Sequence, residues 1–323
     1  MRQPRPPGTP TPRTTTRASS IACWALVLLC LPAPGLGDPA YALEVAILKS
    51  ADLAAYNQAV AGFKASMPPS TTFLEFDIQG DVTRGRKLAQ KIRVSDAALV
   101  LAVGLKAALV AKLEVVDIPV IYCMVLDPAK NSLNAPNMTG IMLEVPIDRQ
   151  LSTMRSVLPR VKRIGVLYDP EKTAGLVDEA RRQAKALGLE ITARQVRSEK
   201  DVPTTLRSVV REIEALWLIP DSTVLSEESL SFMLTTALDS NVPVVGFSSE
   251  LVRIGALVGL SVSYDDVGRQ AGVLTKKILS GQPIPSPGAV SPDRLRLALN
   301  LKTAKFLKIQ IPPEVVNRAD ELY

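Results

Sequence analysis

The sequence predicts an α/β protein of two similar lobes, each built on a parallel sheet with crossover helices on its two faces. Three observations carry this. From Leu43 onward, short apolar runs alternate with amphipathic helical patterns, the grammar of strand, helix, strand in a parallel sheet. The alternation pauses after residue 127 and begins again at residue 163, so two half-chains share one order of elements. Apolar runs in both halves also end on acid and proline, at Asp127-Pro128, Asp169-Pro170 and Pro220-Asp221-Ser222. A single Asp-Pro is explained by structure alone, since proline cannot continue a strand ladder and aspartate caps the helix that follows. Three such ends in two lobes point further, because ligands of open parallel sheets bind outside the carboxyl ends of the strands.

The elements follow in order. In the first half, strand "EVAILKS" leads to helix "DLAAYNQAVAGFKAS", strand "TTFLEFDI", helix "VTRGRKLAQKIRV", strand "AALVLAVG", helix "LKAALVAKLEV" and strand "IPVIYCMVL". A loop over 127–139 and a short "TGIMLEV" close that half. The second half opens with strand "RIGVLYD" and helix "LVDEARRQAKALG". In that helix Leu176, Val177, Ala180, Ala184 and Leu187 share one face and Gly188 supplies the stop. "EITARQV", "PTTLRSVVREI", "ALWLIPD", "SEESLSFMLTTALDS" and "VPVVGFS" complete it.

The first 42 residues read differently. Arg2, Arg5, Arg13 and Arg17 lie in a Pro/Thr-rich lead, followed by the apolar run from Ile21 to Leu31 and then small residues ending in "AYA" at Ala40–Ala42. Basic, apolar and small segments in that order are a cleaved signal peptide, and the apolar run is too short to span a bilayer. Cleavage is expected after Ala42, with Gly37 as the competing site, and the product is expected in the periplasm or otherwise exported. Removing the leader takes away four of the 38 basic residues and Asp38 from the 32 acidic ones, leaving 34 and 31, a net charge of +3. That balance, with no basic patch interleaved with aromatics, excludes a nucleic-acid partner. Cys123 is then the one cysteine left, so no intramolecular disulfide is available.

The chain contains no histidine, which removes Ser-His-Asp and Cys-His catalysis and the commonest metal ligand. It has no phosphate-cradling glycine loop of the Walker or dinucleotide type and no GxSxG nucleophile elbow. The adjacent acids Asp265-Asp266 and Glu227-Glu228 read as helix-start charges. No enzymatic activity, cofactor or metal site is expected.

At 119–143 and from residue 243 to the end the chain resembles a known family. The stretches "IPVIYCMVLDPAKNSLNAPNMTGIML", "IGVLYDPEKTAG", "VPVVGFSSELVRIGALVGLSVSYDDVGRQAGVLTKKILSGQPI" and "LRLALNLKTAKFLKIQIPPEVVNRADELY" are similar to ABC-transporter substrate-binding proteins of the type I periplasmic-binding-protein fold. The branch that includes tryptophan- and tyrosine-binding members is the nearest match. The resemblance implies two Rossmann-like lobes joined by a hinge of three crossing strands, with the ligand enclosed on closure. It places lobe 1 at 43–145 plus 264–290 and lobe 2 at 146–263 plus 291–323. Carried over by position, the cleft-facing residues are Ser50, Gly104, Asp127, Met138 and Thr139 in the first lobe. Tyr168, Asp169, Asp221, Ser222, Thr223, Ser248, Ser249 and Asp265 complete the set. Hydroxyls and helix-start amides suit a carboxylate or other anion, whereas Asp169, Asp221 or Asp265 suits an ammonium group, and Tyr168 offers an apolar platform. The stretch "VGLKAAL" departs from the family in carrying Leu105 and Lys106, and the lysine fits either an anionic ligand or a solvated position.

The function implied is an exported solute-binding subunit of an ABC uptake transporter that takes a small polar ligand such as an amino acid. Its partners would be an inner-membrane permease with its ATPase, and the subunit itself would be monomeric. The alternative is a periplasmic sensor that signals to a membrane receptor through the same closure.

Overall fold

Strands β1 (Glu44–Lys49), β2 (Thr72–Asp77), β3 (Leu99–Val103), β4 (Val120–Val125) and β5 (Met138–Met142) form the first half of the chain. Helices α1 (Ala54–Ser66), α2 (Val82–Arg93) and α3 (Leu105–Glu114) connect the first four of them. These elements come from a computed structural model that describes residues 43–285 and 288–323. The leader read as a signal peptide lies outside the described residues.

The apolar runs become strands because nearly every residue in them is buried on one sheet face or the other. In β1, Val45 and Ile47 pack on one side and Ala46 and Leu48 on the other. All of β3 is buried, and so is all of β4. Met124 adopts a left-handed φ of 59° where the β4–β5 register shifts between Tyr122 and Val125, and Asp127 follows with φ 46°. Such an irregularity bends the strand end and re-aims the residues beyond it.

The second half begins at α4 (Ile147–Val157) and continues through β6 (Arg163–Tyr168), α5 (Pro170–Ala186), β7 (Glu190–Gln195) and α6 (Val202–Val209). It goes on through β8 (Ala215–Trp217), α7 (Glu227–Asp239), β9 (Val244–Gly246), α8 (Ser249–Arg253) and β10 (Val258–Ser261). Helix α5 starts six residues earlier than its apolar face suggests. Asp169 caps it by accepting the Glu171 N–H, and Pro170 occupies the first helical position, where its missing N–H costs nothing. The remaining elements are α9 (Tyr264–Leu279), β11 (Ala289–Val290), β12 (Arg296–Leu299), α10 (Leu301–Phe306), α11 (Pro313–Val316) and β13 (Glu321–Leu322).

Two sheets result. The first has six strands in the order β11-β5-β4-β3-β1-β2, with every pair parallel. The second has seven in the order β13-β12-β10-β9-β8-β6-β7, parallel except where β12 runs antiparallel to β10. The α/β class and the parallel sheets match the expectation from sequence. The chain passes between the sheets three times, at 143–146, 262–263 and 291–295. Helix α9, which follows the second passage, returns to the first sheet and lies tightly on α1. A Cβ added at Gly268 would collide with the Ala59 carbonyl oxygen, and one at Gly62 with the Asp265 carbonyl oxygen, so only glycine permits this approach. Among the described residues no helix is long and apolar enough to cross a membrane.

Candidate functional site

Because the strands of the first sheet, and β6 to β10 of the second, run parallel, their carboxyl ends gather the connecting loops on one side. The loop after β4 and the first turns of α5 meet there around a cavity of about 910 Å³. Its walls are mostly apolar, from Tyr122, Leu126, Leu133 and Met142 of the first sheet and its loops, and from Leu176 and Pro220 of the second half. Four charges enter it: Asp127, Lys130, Glu144 and Lys172. A largely apolar concavity with few polar groups is what a small-molecule site looks like.

The expected residues fall into separate groups around this geometry. Ser50 and Gly104 stand together at the ends of β1 and β3. The Ser50 hydroxyl accepts the Ala107 N–H at 2.9 Å, which caps α3 across the sheet. Gly104 has φ +87°, and a Cβ there would lie 2.7 Å from both the Ser50 and Tyr56 hydroxyl oxygens. Lys106 donates to the Gly80 carbonyl at 2.8 Å and so ties down the loop after β2.

Asp169, Asp221, Ser222 and Thr223 form a second group at the ends of β6 and β8. Asp221, 1% exposed, accepts the Asp169 N–H at 2.8 Å, the Thr173 hydroxyl at 2.6 Å and the Thr223 N–H at 2.9 Å. Asp169 accepts the Thr223 hydroxyl at 2.6 Å and the Glu171 N–H at 3.0 Å. The Thr223 hydroxyl, ahead of the Glu171 amide, holds the Asp169 carboxyl below its ordinary range, aided by Lys172 and Arg197. Lys172 donates to the Ser222 hydroxyl at 2.8 Å. The two aspartates are thereby spent on one another's loops, a buried polar network in which each carboxylate has protein donors.

Tyr168 is buried among the core residues of the second sheet, and its hydroxyl accepts from Gln195 at 3.4 Å, so it offers no open platform. Ser248 caps α8 by accepting the Leu251 N–H, and Ser249 is the first residue of that helix. Asp265 lies on the first turn of α9 in an ion pair with Arg269 at 2.7 Å, outside the cavity lining.

Met138 and Thr139 require a correction. They open β5, where Met138 pairs with Val120 at the start of β4, so they sit at the amino ends of the strands and not at the carboxyl ends. Both are buried, and the Thr139 hydroxyl is without a partner. The polar loop 127–137 leads straight into "MTGIM", so in sequence these residues read as the end of a loop, and only the register of β5 on β4 shows them to be the start of a strand.

Asp127 is the one expected residue that lines the cavity. It caps its own turn by accepting the Lys130 N–H at 3.0 Å. Lys130, Glu144 and Lys172, which also enter the cavity, were not anticipated. Glu144 lies in the first passage between the sheets and accepts the Asp127 N–H. The signal for it was present in "TGIMLEV", where a single acid interrupts an apolar run. Tyr122 donates its hydroxyl to the Gly288 carbonyl at 3.1 Å, and burial pushes its pKa up to about 12, so it stays protonated.

A two-lobed α/β fold with an apolar cavity at the strand carboxyl ends defines a class of ligand-capturing proteins. Within it, residues 69–323 match the model of the ABC transporter substrate binding protein family, and the chain belongs to that family. It is 25% identical over 240 residues to the tyrosine-binding protein of Clostridioides difficile, covering 72% of this chain and 69% of that one. Its fold is shared with a Streptococcus pneumoniae ABC domain solved in complex with L-Trp, at 20% identity, TM-score 0.56, 87% of this chain and 99% of that one. It is shared too with a substrate-binding protein with adhesive properties from Clostridium difficile in its ligand-free, open form, at 21% identity, TM-score 0.72, and 87% and 99% coverage.

Proposed function

We propose that this chain is the exported solute-binding subunit of an ABC uptake system, and that it captures an amino acid in the cavity between lobes formed by 43–145 plus 264–290 and 146–263 plus 291–323. The observation that carries this reading is the cavity itself, which draws its walls from the loop after β4 on one side and from α5 and Pro220 on the other. A ligand touching both walls stabilises the form in which they are close, so binding and closure are one event. Bending at 143–146, 262–263 and 291–295 supplies that closure. The mixture of two acids, two lysines and apolar walls suits a zwitterion with an apolar body. Relatives described as binding tyrosine and L-Trp favour the same class. The lobes' closed form would then be what a membrane permease and its ATPase recognise.

A thermal-shift screen of residues 43–323 against amino acids, small anions and polyamines tests the proposal. A ligand with micromolar Kd present at millimolar concentration adds about 4 kcal/mol to stability, which raises Tm visibly. Stabilisation by an amino acid, and by neither of the other groups, is expected. A chain that responds to none of the amino acids is not the protein described here.

A further inference from the structure

Resting on that reading, we propose that Glu144 is the residue that selects for a protonated amine on the ligand. The other acids near the strand ends have protein partners. Asp221 accepts from Asp169, Thr173 and Thr223, Asp169 accepts from Thr223 and Glu171, and Asp265 is paired with Arg269. Asp127 turns one oxygen back to the Lys130 N–H of its own loop. Asp127 and Glu144 each keep one carboxylate oxygen without a protein donor among the described residues, and Glu144 differs from Asp127 in place. It stands on the passage from β5 to α4, where the two halves of the chain meet, and it borders the cavity. One oxygen, Oε1, accepts the Asp127 N–H, which fixes the carboxylate on the bent end of β4. No protein donor within hydrogen-bond distance reaches Oε2 among the described residues, and Glu144 forms no ion pair there. A carboxylate held by one oxygen and open at the other is preorganised for a charge-assisted bond. Glu144 is half-buried here, and closure of the apolar walls over it would lower the local dielectric and strengthen that bond relative to water.

The selection is made by what the carboxylate cannot accept. A ligand that lacks the amine leaves Glu144 desolvated and unpaired as the cavity closes, and a site built to pair a polar group rejects the analogue without it more strongly than it rejects a change in apolar size. Lys172 stands on the opposite wall and is bonded to Ser222, whereas the Glu144 wall carries two acids and Lys130.

Calorimetric titration of residues 43–323 tests this with matched sets: L-leucine, L-tyrosine and L-tryptophan, each with its des-amino acid and its decarboxylated amine. The unaltered protein is expected to bind at least one amino acid and to bind the corresponding des-amino acid at least tenfold more weakly. Glu144→Gln keeps an oxygen for the Asp127 N–H and removes only the charge, so it should weaken the amino acid at least tenfold while leaving the Tm without ligand unchanged. If the variant fails to fold, the comparison of amino acid with des-amino acid in the unaltered chain decides alone. Equal binding of the two, or undiminished binding by a folded Glu144→Gln variant, overturns the role of Glu144 and leaves the solute-binding reading standing. Absence of binding by every member of the sets overturns both.

Discussion

Replacing Asp221 with alanine should unfold the second half of the chain far more easily, with no ligand present. Asp221 is 1% exposed and receives the Asp169 N–H, the Thr173 hydroxyl, the Thr223 N–H and, at 3.3 Å, the Val224 N–H. Two of these donors have an alternative. The Thr173 hydroxyl already lies 3.4 Å from the Asp169 carbonyl oxygen, and the Val224 N–H lies 3.2 Å from the Asp221 carbonyl oxygen, which alanine retains. The Asp169 and Thr223 amides have none. A buried donor left unmet costs about 1–3 kcal/mol, so two of them predict a loss of about 4 kcal/mol for Asp221→Ala. Asp221→Asn keeps one acceptor oxygen and should lose about half of that, roughly 2 kcal/mol. Trp217, the single tryptophan of residues 43–323, is buried in this half and bonded to Gln150, so its fluorescence in a urea titration reads the transition directly. A shift in midpoint at constant slope gives the free energy. A loss below about 1 kcal/mol for the alanine variant would refute the view that this carboxylate is spent on the fold.

Three further outcomes follow from the same geometry. Gly104→Ala forces a Cβ onto a φ of +87° and to 2.7 Å from two hydroxyl oxygens, and should cost about 1–3 kcal/mol in a thermal melt. Gly268→Ala pushes α9 off the backbone of α1; overpacking of this kind costs about 1–3 kcal/mol or more, and an unchanged Tm would mean that the two helices are not in the contact described. The depressed Asp169 carboxyl favours its ionised form in the folded chain. Its stabilising contribution is therefore present above about pH 4 and is lost as pH falls through the lowered value, so Asp169→Asn should flatten the acid limb of stability measured between pH 2 and 5.

Strand and helix were legible because burial on both sheet faces leaves a direct trace in sequence. Val45 to Leu48, Leu99 to Val103 and Val120 to Val125 are unbroken apolar runs, and Val177, Ala180 and Ala184 repeat at helical spacing. The start of α5 was legible only in part, since Asp169-Pro170 marks both a strand end and a helix cap. The site was harder to read because it depends on which ends meet. Position alone placed Met138 and Thr139 in the cleft, whereas the register of β5 on β4 puts them at the opposite end of the sheet. Asp169 and Asp221 look identical in sequence to free ligand acids, and their mutual consumption arises from contacts across 48 to 54 residues of chain. Glu144 gained its place only when the passage after β5 folded beside the bent end of β4.

The most direct test of the central claim is a calorimetric titration of residues 43–323 with the standard amino acids, in parallel with small-angle scattering. The account predicts saturable binding of one amino acid per chain together with a smaller radius of gyration, because the ligand draws the two walls of the cavity together. Binding that leaves the radius unchanged would contradict capture between lobes, and no saturable binding would contradict the proposed function itself.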